Sequence, residues 1–217
     1  MPTVAEAVNR LNHLLPLKSR QEKLPEDVRS VHRGILKGFA TLGRPLNREE
    51  ISALLQTTDI ETGLKRLSGD DLVVLDGDGK NVIGAYPMTS ENTAHCLNVH
   101  QVTVHAMCAL DALSVSPMFG HEVTIRSQCC VTGEPIVIYQ DNMRILEVKP
   151  SADVHVGVRW QSTCGCAAHS LCMEMVFLKD GAVAGTWQGC DTDACWIFPL
   201  PEAVAFGAAF FTPLMKD

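Results

Sequence analysis

The feature that most constrains this chain is a change of texture near residue 87. Before it, helix signals follow one another and end on a tight turn. After it, short alternating segments rich in valine take over. Val28, Val31, Ile35, Leu36 and Phe39 recur at helical spacing, and Gly43 and Pro45 then break the run. Asn47 with Glu50 is a capping-box pattern ahead of Ile51, Leu54 and Leu55, which predicts a second helix. Thr58 with Glu61 repeats that pattern ahead of Leu64 and Leu67, with Gly69 as the stop of a third. The apolar run Leu72 to Leu75, the turn Asp76-Gly77-Asp78-Gly79 and the segment Val82 to Tyr86 predict a hairpin.

Three helices and a hairpin in this order resemble a winged helix. Such modules commonly bind DNA, but the third helix offers only Lys65 and Arg66, offset by Asp59 and Glu61. The net charge is −7, and no Lys/Arg run supplies a basic patch. A structural role for the module is therefore preferred over DNA binding. Downstream, Asn98 to Ala106 alternates, Met107 to Leu113 suggests one or two helical turns, and His121 to Ser127 and Glu134 to Tyr139 read as strands around Thr132-Gly133. Val154 to Trp160 reads as a strand. So does Leu171 to Leu178, with Leu171, Met173, Met175 and Phe177 on one face and Cys172 and Glu174 on the other. Pro201 to Phe211 predicts a closing helix. The fold class is α+β: a winged-helix-like three-helix module followed by a mostly antiparallel α+β domain.

The N-terminus lacks an apolar core and a small-residue cleavage site, and no apolar stretch approaches the ~20 residues that span a bilayer. The expectation is a cytoplasmic protein with no membrane partner. Nine cysteines stand at 96, 108, 129, 130, 164, 166, 172, 190 and 195, an odd number that excludes complete internal pairing. In a reducing compartment they stay free thiols. Cys108 and Asp111, three apart, share a helix face and put a soft nucleophile beside a proton acceptor. Spacing alone favours a blander reading, a buried cysteine beside a surface aspartate.

Met107 to Leu113 also resembles the first active-site signature of the alkylmercury lyases. Ser127-Gln128-Cys129-Cys130-Val131-Thr132-Gly133-Glu134-Pro135 resembles that family's segment with a cysteine ahead of a Thr-Gly-x-Pro turn. Leu171 to Phe177 resembles the strand holding its second catalytic cysteine. The likeness runs over about residues 25 to 212. It implies an N-terminal extension over 1–24, the winged-helix-like module over 25–88 and a catalytic domain over 89–217. It implies Cys108 and Cys172 as catalytic cysteines and mercury ligands, Asp111 as acid/base, and Cys129 as structural. It implies an organomercurial substrate, Hg(II) as product, no required cofactor, an external thiol for release, and mercury reductase as a candidate acceptor. The chain departs from the family pattern at Met107, where an aromatic is usual, and at Met173, where a further cysteine is frequent.

The chemistry is coherent by itself. Thiolates are the softest side-chain ligands for mercury, and two of them push electron density into a metal–carbon bond that breaks once a proton reaches carbon. Cys164, Cys166, Cys190 and Cys195, with His169 nearby, are candidate relay thiols. Their spacing also fits unremarkable loop cysteines, since structural zinc sites favour CxxC. The alternative function is a non-catalytic soft-metal binder or sensor holding Hg²⁺, Cu⁺ or Zn²⁺ on the same scaffold. Asp111 separates the two, because a pure metal trap needs no proton donor. The oligomeric state is not encoded in any of these signals.

Overall fold

A computed structural model describes residues 2–160 and 166–216. Two helices precede those the sequence signals mark: α1 (Val4–Leu14) and α2 (Leu17–Glu22). Thr3 and Glu6 form a reciprocal capping box at the start of α1, and Ala7, Leu11 and Leu17 bury against the core. α3 (Glu26–Leu42) ends at Gly43, whose φ of 70° is the left-handed conformation that only glycine adopts freely. α4 (Arg48–Leu54) carries the expected Asn47–Glu50 box. α5 (Ile60–Gly69) is capped by Asp59 and not by Thr58. Thr58 is engaged elsewhere: its backbone N–H and its hydroxyl both donate to the buried Asp27 carboxylate, at 3.0 and 3.3 Å.

The hairpin follows as β1 (Val74–Leu75) and β2 (Val82–Ala85), with the Asp76 carboxylate accepting from Lys80 N–H, Asn81 N–H and the Asn81 side chain across the turn. These strands open an eight-stranded antiparallel sheet that continues through β3 (Met88–Thr89), β5 (Val102–Ala106), β4 (His95–Val99), β6 (Glu122–Gln128), β7 (Pro135–Asp141) and β8 (Arg144–Lys149) in that spatial order. The alternating segment Asn98 to Ala106 is thus two strands and not one. Val99 pairs with Val102 around a turn at His100, whose φ is 53°. A second sheet holds β9 (His155–Arg159) between β10 (Met175–Leu178) and β11 (Cys195–Pro199). α7 (Gly181–Gln188) and α8 (Leu200–Phe211) complete the fold.

The segment expected as one strand from Leu171 is also different. Residues Leu171–Glu174 form a 3-10 turn, and only Met175–Leu178 is strand. Leu171 and Cys172 are both buried while Met173 is 66% exposed, so the alternation does not hold across the turn.

At the centre lies α6 (Ala109–Phe119), three turns long where one or two were expected. It touches β4 to β7 of the large sheet, β10 of the small one and α8. Gly207 sets the α6–α8 approach: a Cβ there would meet the Ser114 hydroxyl and lie 3.1 Å from the Leu110 carbonyl. Among the described residues no helix is long and apolar enough to cross a membrane.

The N-terminal helices are tied in by a buried polar pair. Gln21 Nε2 donates to His32 Nδ1 at 2.8 Å and to the Leu214 carbonyl at 2.9 Å. Burial lowers the His32 pKa to about 4 from 6.5. The unfolded chain therefore binds a proton that the native state refuses, and stability falls as pH drops from about 6.5 toward 4. At pH 5 this single group is expected to cost about 2 kcal/mol. His32→Gln removes that part of the acid loss. In urea titrations the gap between wild type and variant should narrow by that amount from pH 7 to pH 5, and a constant gap would show that His32 is not the titrating group.

Candidate active site

Cys108 ends the approach from β5 and caps α6. Its backbone is extended (φ −151°, ψ 179°) and its Sγ accepts from Asp111 N–H at 3.3 Å. A sulfur in the N-cap position points at the free N–H groups of the helix start, where partial positive charge favours an anion. Asp111 lies one turn on, in the same first turn. Cys172 comes from the 3-10 turn that leads into β10. The Cys108 and Cys172 sulfurs and an Asp111 oxygen all lie within 4.8 Å of one another. The fit of β10 against this point is helped by the turn after β6, where Cys130 N–H donates to the Phe177 carbonyl.

All three groups are buried: Asp111 and Cys108 are 1% exposed and Cys172 4%. Asp111 is thus not the surface residue that spacing alone favours. Neither of its carboxyl oxygens meets a donor in hydrogen-bond geometry. Burial raises its pKa to about 7, and the thiols of Cys108 and Cys172 hold it back from rising further. Burial likewise pushes the Cys108 thiol well above its ordinary value, with the neighbouring Cys172 and Asp111 adding to the rise. The Cys108 thiol draws Cys172 down, but burial and the charges around it leave Cys172 raised. At neutral pH the resting site is therefore two protonated thiols beside an acid near its midpoint.

Among the described residues this is the one group of three His, Cys, Asp or Glu side chains placed to hold a common ion. Cys166, Cys190 and Cys195 do not gather into such a group. Cys166 is half-buried, Cys190 exposed, and Cys195 buried 3.4 Å from Arg159 Nε. Cys164 lies outside the described residues. Cys129 is buried at the base of the turn before β7. His105 sits on β5 and accepts from Thr93 N–H at 3.3 Å. Residues that the sequence assigns no role also come near the site. Met175 Sδ lies 3.9 Å from Cys108 Sγ, and Tyr86 is within electrostatic reach of Cys172. Tyr86 carries no sequence signal, because only the sheet brings the end of β2 here.

Two thiols and a carboxylate converging in one buried spot of an α+β fold form a donor set of the kind that can hold a soft metal ion. The alkylmercury lyase family model matches residues 88–212. The alkylmercury lyase of Pseudomonas putida is 24% identical over 216 residues, covering 99% of this chain and 93% of its own. That of Staphylococcus epidermidis is 27% identical over 168 residues, covering 77% and 69%. In shape the chain is similar to the crystal structure of the mercury-bound form of MerB2, with a TM-score of 0.77, 21% identity and coverage of 97% and 99%. The chain belongs to the alkylmercury lyase family and is, as such, an enzyme of the lyase class.

Proposed function

We propose that the protein cleaves the carbon–mercury bond of organomercurials by protonation, releasing hydrocarbon and Hg(II). The observation that carries this reading is the convergence of Cys108, Asp111 and Cys172 in one buried spot. An organomercurial arrives as R–Hg bound to a carrier thiolate. Cys108 gives its proton to the Asp111 carboxylate and binds mercury as thiolate. Cys172 joins as the second ligand, and its proton leaves with the carrier thiol. Asp111 then protonates carbon, the carbon–mercury electron pair becomes the new C–H bond, and R–H departs. Hg(II) stays on the two thiolates and Asp111 is again a carboxylate. An acid whose pKa lies near 7 suits both proton steps at neutral pH.

The reaction as written needs no resident cofactor, only an external thiol to take the product, with mercury reductase as the candidate final acceptor. A cytoplasmic setting fits free thiols. We read residues 25–88 as a winged-helix-like module serving the fold and 89–217 as the catalytic domain, with 1–24 as an extension. In support, β1 and β2 are continuous with the eight-stranded sheet. Two of the cations on and near α5 are paired within the module, Arg66 with Asp70 at 2.7 Å and Arg48 with Glu61, which leaves Lys65, among the described residues, as the one basic residue of that helix open to a phosphate backbone.

The test is direct. The pure protein is incubated with phenylmercury and excess thiol, and benzene is measured in the headspace. Catalytic release is the expected result. Stoichiometric mercury retention without benzene would leave only the soft-metal binder.

A further inference from the structure

The buried pair poses an exit problem. Mercury held between Cys108 and Cys172 is shielded, since both sulfurs belong to side chains less than 5% exposed. A solvent thiol cannot reach it without an opening or an intermediary. Cys166 is placed to be that intermediary. It lines a surface cavity of about 580 Å³ walled by the hairpin turn at Asp76–Gly79, by Asp71 and by His169. It immediately precedes the 3-10 turn Ala167–His169, which packs on the turn that carries Cys172.

On its inner side, Cys166 Sγ is 3.3 Å from the Tyr86 hydroxyl. That hydroxyl donates to Asp71 Oδ1 at 3.0 Å and accepts from Ala168 N–H at 2.8 Å. A phenol has one hydrogen. With it given to Asp71, the Cys166 thiol is the donor in the contact with Tyr86. Ala167 N–H at 3.2 Å and Arg20 at 3.8 Å fix the other Asp71 oxygen. Tyr86, 1% exposed, thus has its hydroxyl fully engaged, and Cys172 lies within electrostatic reach of both Tyr86 and Cys166.

We propose that Cys166 is a transfer thiol, which takes Hg(II) from the buried pair and presents it at the cavity to a thiol from solvent. The inference rests on the mercury chemistry proposed above. In the step, a Hg–S bond to Cys166 forms, the Hg–S bond to Cys172 breaks, and the Cys166 proton passes to the Cys172 sulfur. No oxidant or further reactant is needed. Two of the groups that shape this outlet, Asp71 and Tyr86, precede residue 88, where the family match begins. The N-terminal region would thereby have a part in turnover as well as in packing.

The test starts from protein loaded with one equivalent of HgCl₂, so it requires no carbon–mercury cleavage and its outcome is independent of the benzene assay. Loaded protein is chased with excess glutathione, and protein-bound mercury is followed in time. Cys166→Ser is expected to load fully, since Cys108 and Cys172 remain, and to release roughly tenfold more slowly or worse. Tyr86→Phe, which removes the hydroxyl but keeps the ring, should also slow release. Cys130→Ser, an exposed cysteine on another turn, should match wild type. Release from Cys166→Ser at the wild-type rate overturns the proposal. Faster release overturns it too, by making Cys166 a trap, and so does failure of that variant to load.

Discussion

Asp111→Asn is expected to retain mercury on the two thiols and to lose hydrocarbon release by roughly 10²–10⁴-fold, the range of a positioned general acid. The same variant is expected to be more stable at pH 8. Folding raises the carboxyl from 3.8 to about 7, because burial takes the charged form out of water and the two thiols offset only part of that. The native state thus binds the proton more tightly than the unfolded chain. Stability is lost as pH rises from about 4 to about 7, and the full cost of about 4 kcal/mol is present above that. Asparagine cannot ionise and escapes this cost. It leaves a buried amide with few partners, a penalty of about 1–3 kcal/mol. The net gain should therefore appear at pH 8 in urea titrations and vanish near pH 4. Activity and stability would move in opposite directions at one residue, as expected where a strained group does chemistry. Release of benzene at the wild-type rate would place the proton source elsewhere.

What the sequence reveals about this site depends on how each element is buried. α3 has one buried face, so its apolar residues recur at helical spacing and the helix is legible. α6 is buried on nearly every side from Ala109 to Met118, so it has no polar face to define a period, and only its first turns are readable. Leu171 to Phe177 shows the converse error. Its apolar residues alternate as in a strand, yet the first four residues turn as a 3-10 helix, and the exposed Met173 breaks the pattern. The His100 turn lacks glycine, asparagine or aspartate at its left-handed position, so one strand is expected where there are two. β8 is an edge strand with no fully buried side chain, and its apolar residues Ile145, Leu146 and Val148 do not alternate cleanly, so it carries no clear strand pattern. Cys108 and Asp111 are local and visible as a pair. Their meeting with Cys172 depends on β10 docking against α6, and no spacing rule expresses that contact. The resemblance at three separated segments made the pairing foreseeable. Tyr86 and Asp71 are marked by nothing but their position beneath the loop at 166–169.

Replacing either sulfur separates capture from cleavage. Cys108→Ser should leave the fold intact, because serine is among the best N-cap residues and its hydroxyl can accept from Asp111 N–H as the thiol does. Loss of turnover in that variant would then be chemical. With Cys108 gone, the thiol assigned to pass its proton to Asp111 and to bind R–Hg first is missing, although Cys172 stays nearby, and both capture and cleavage should fail. Cys172→Ser keeps Cys108 and Asp111 together. It should still capture R–Hg⁺ on one thiolate and then stall, because a single sulfur pushes less electron density into the metal–carbon bond. Intact-mass measurement after incubation with phenylmercury should show a phenylmercury adduct on Cys172→Ser and none at the same site on Cys108→Ser, with benzene release falling by at least about a thousandfold in both. Because the two thiols act as a unit, the double variant should be scarcely worse than either single one. Wild-type turnover in either single variant would remove that sulfur from the mechanism. An adduct on Cys108→Ser that still resolves to benzene would mean that Cys172 alone can both hold and activate the substrate.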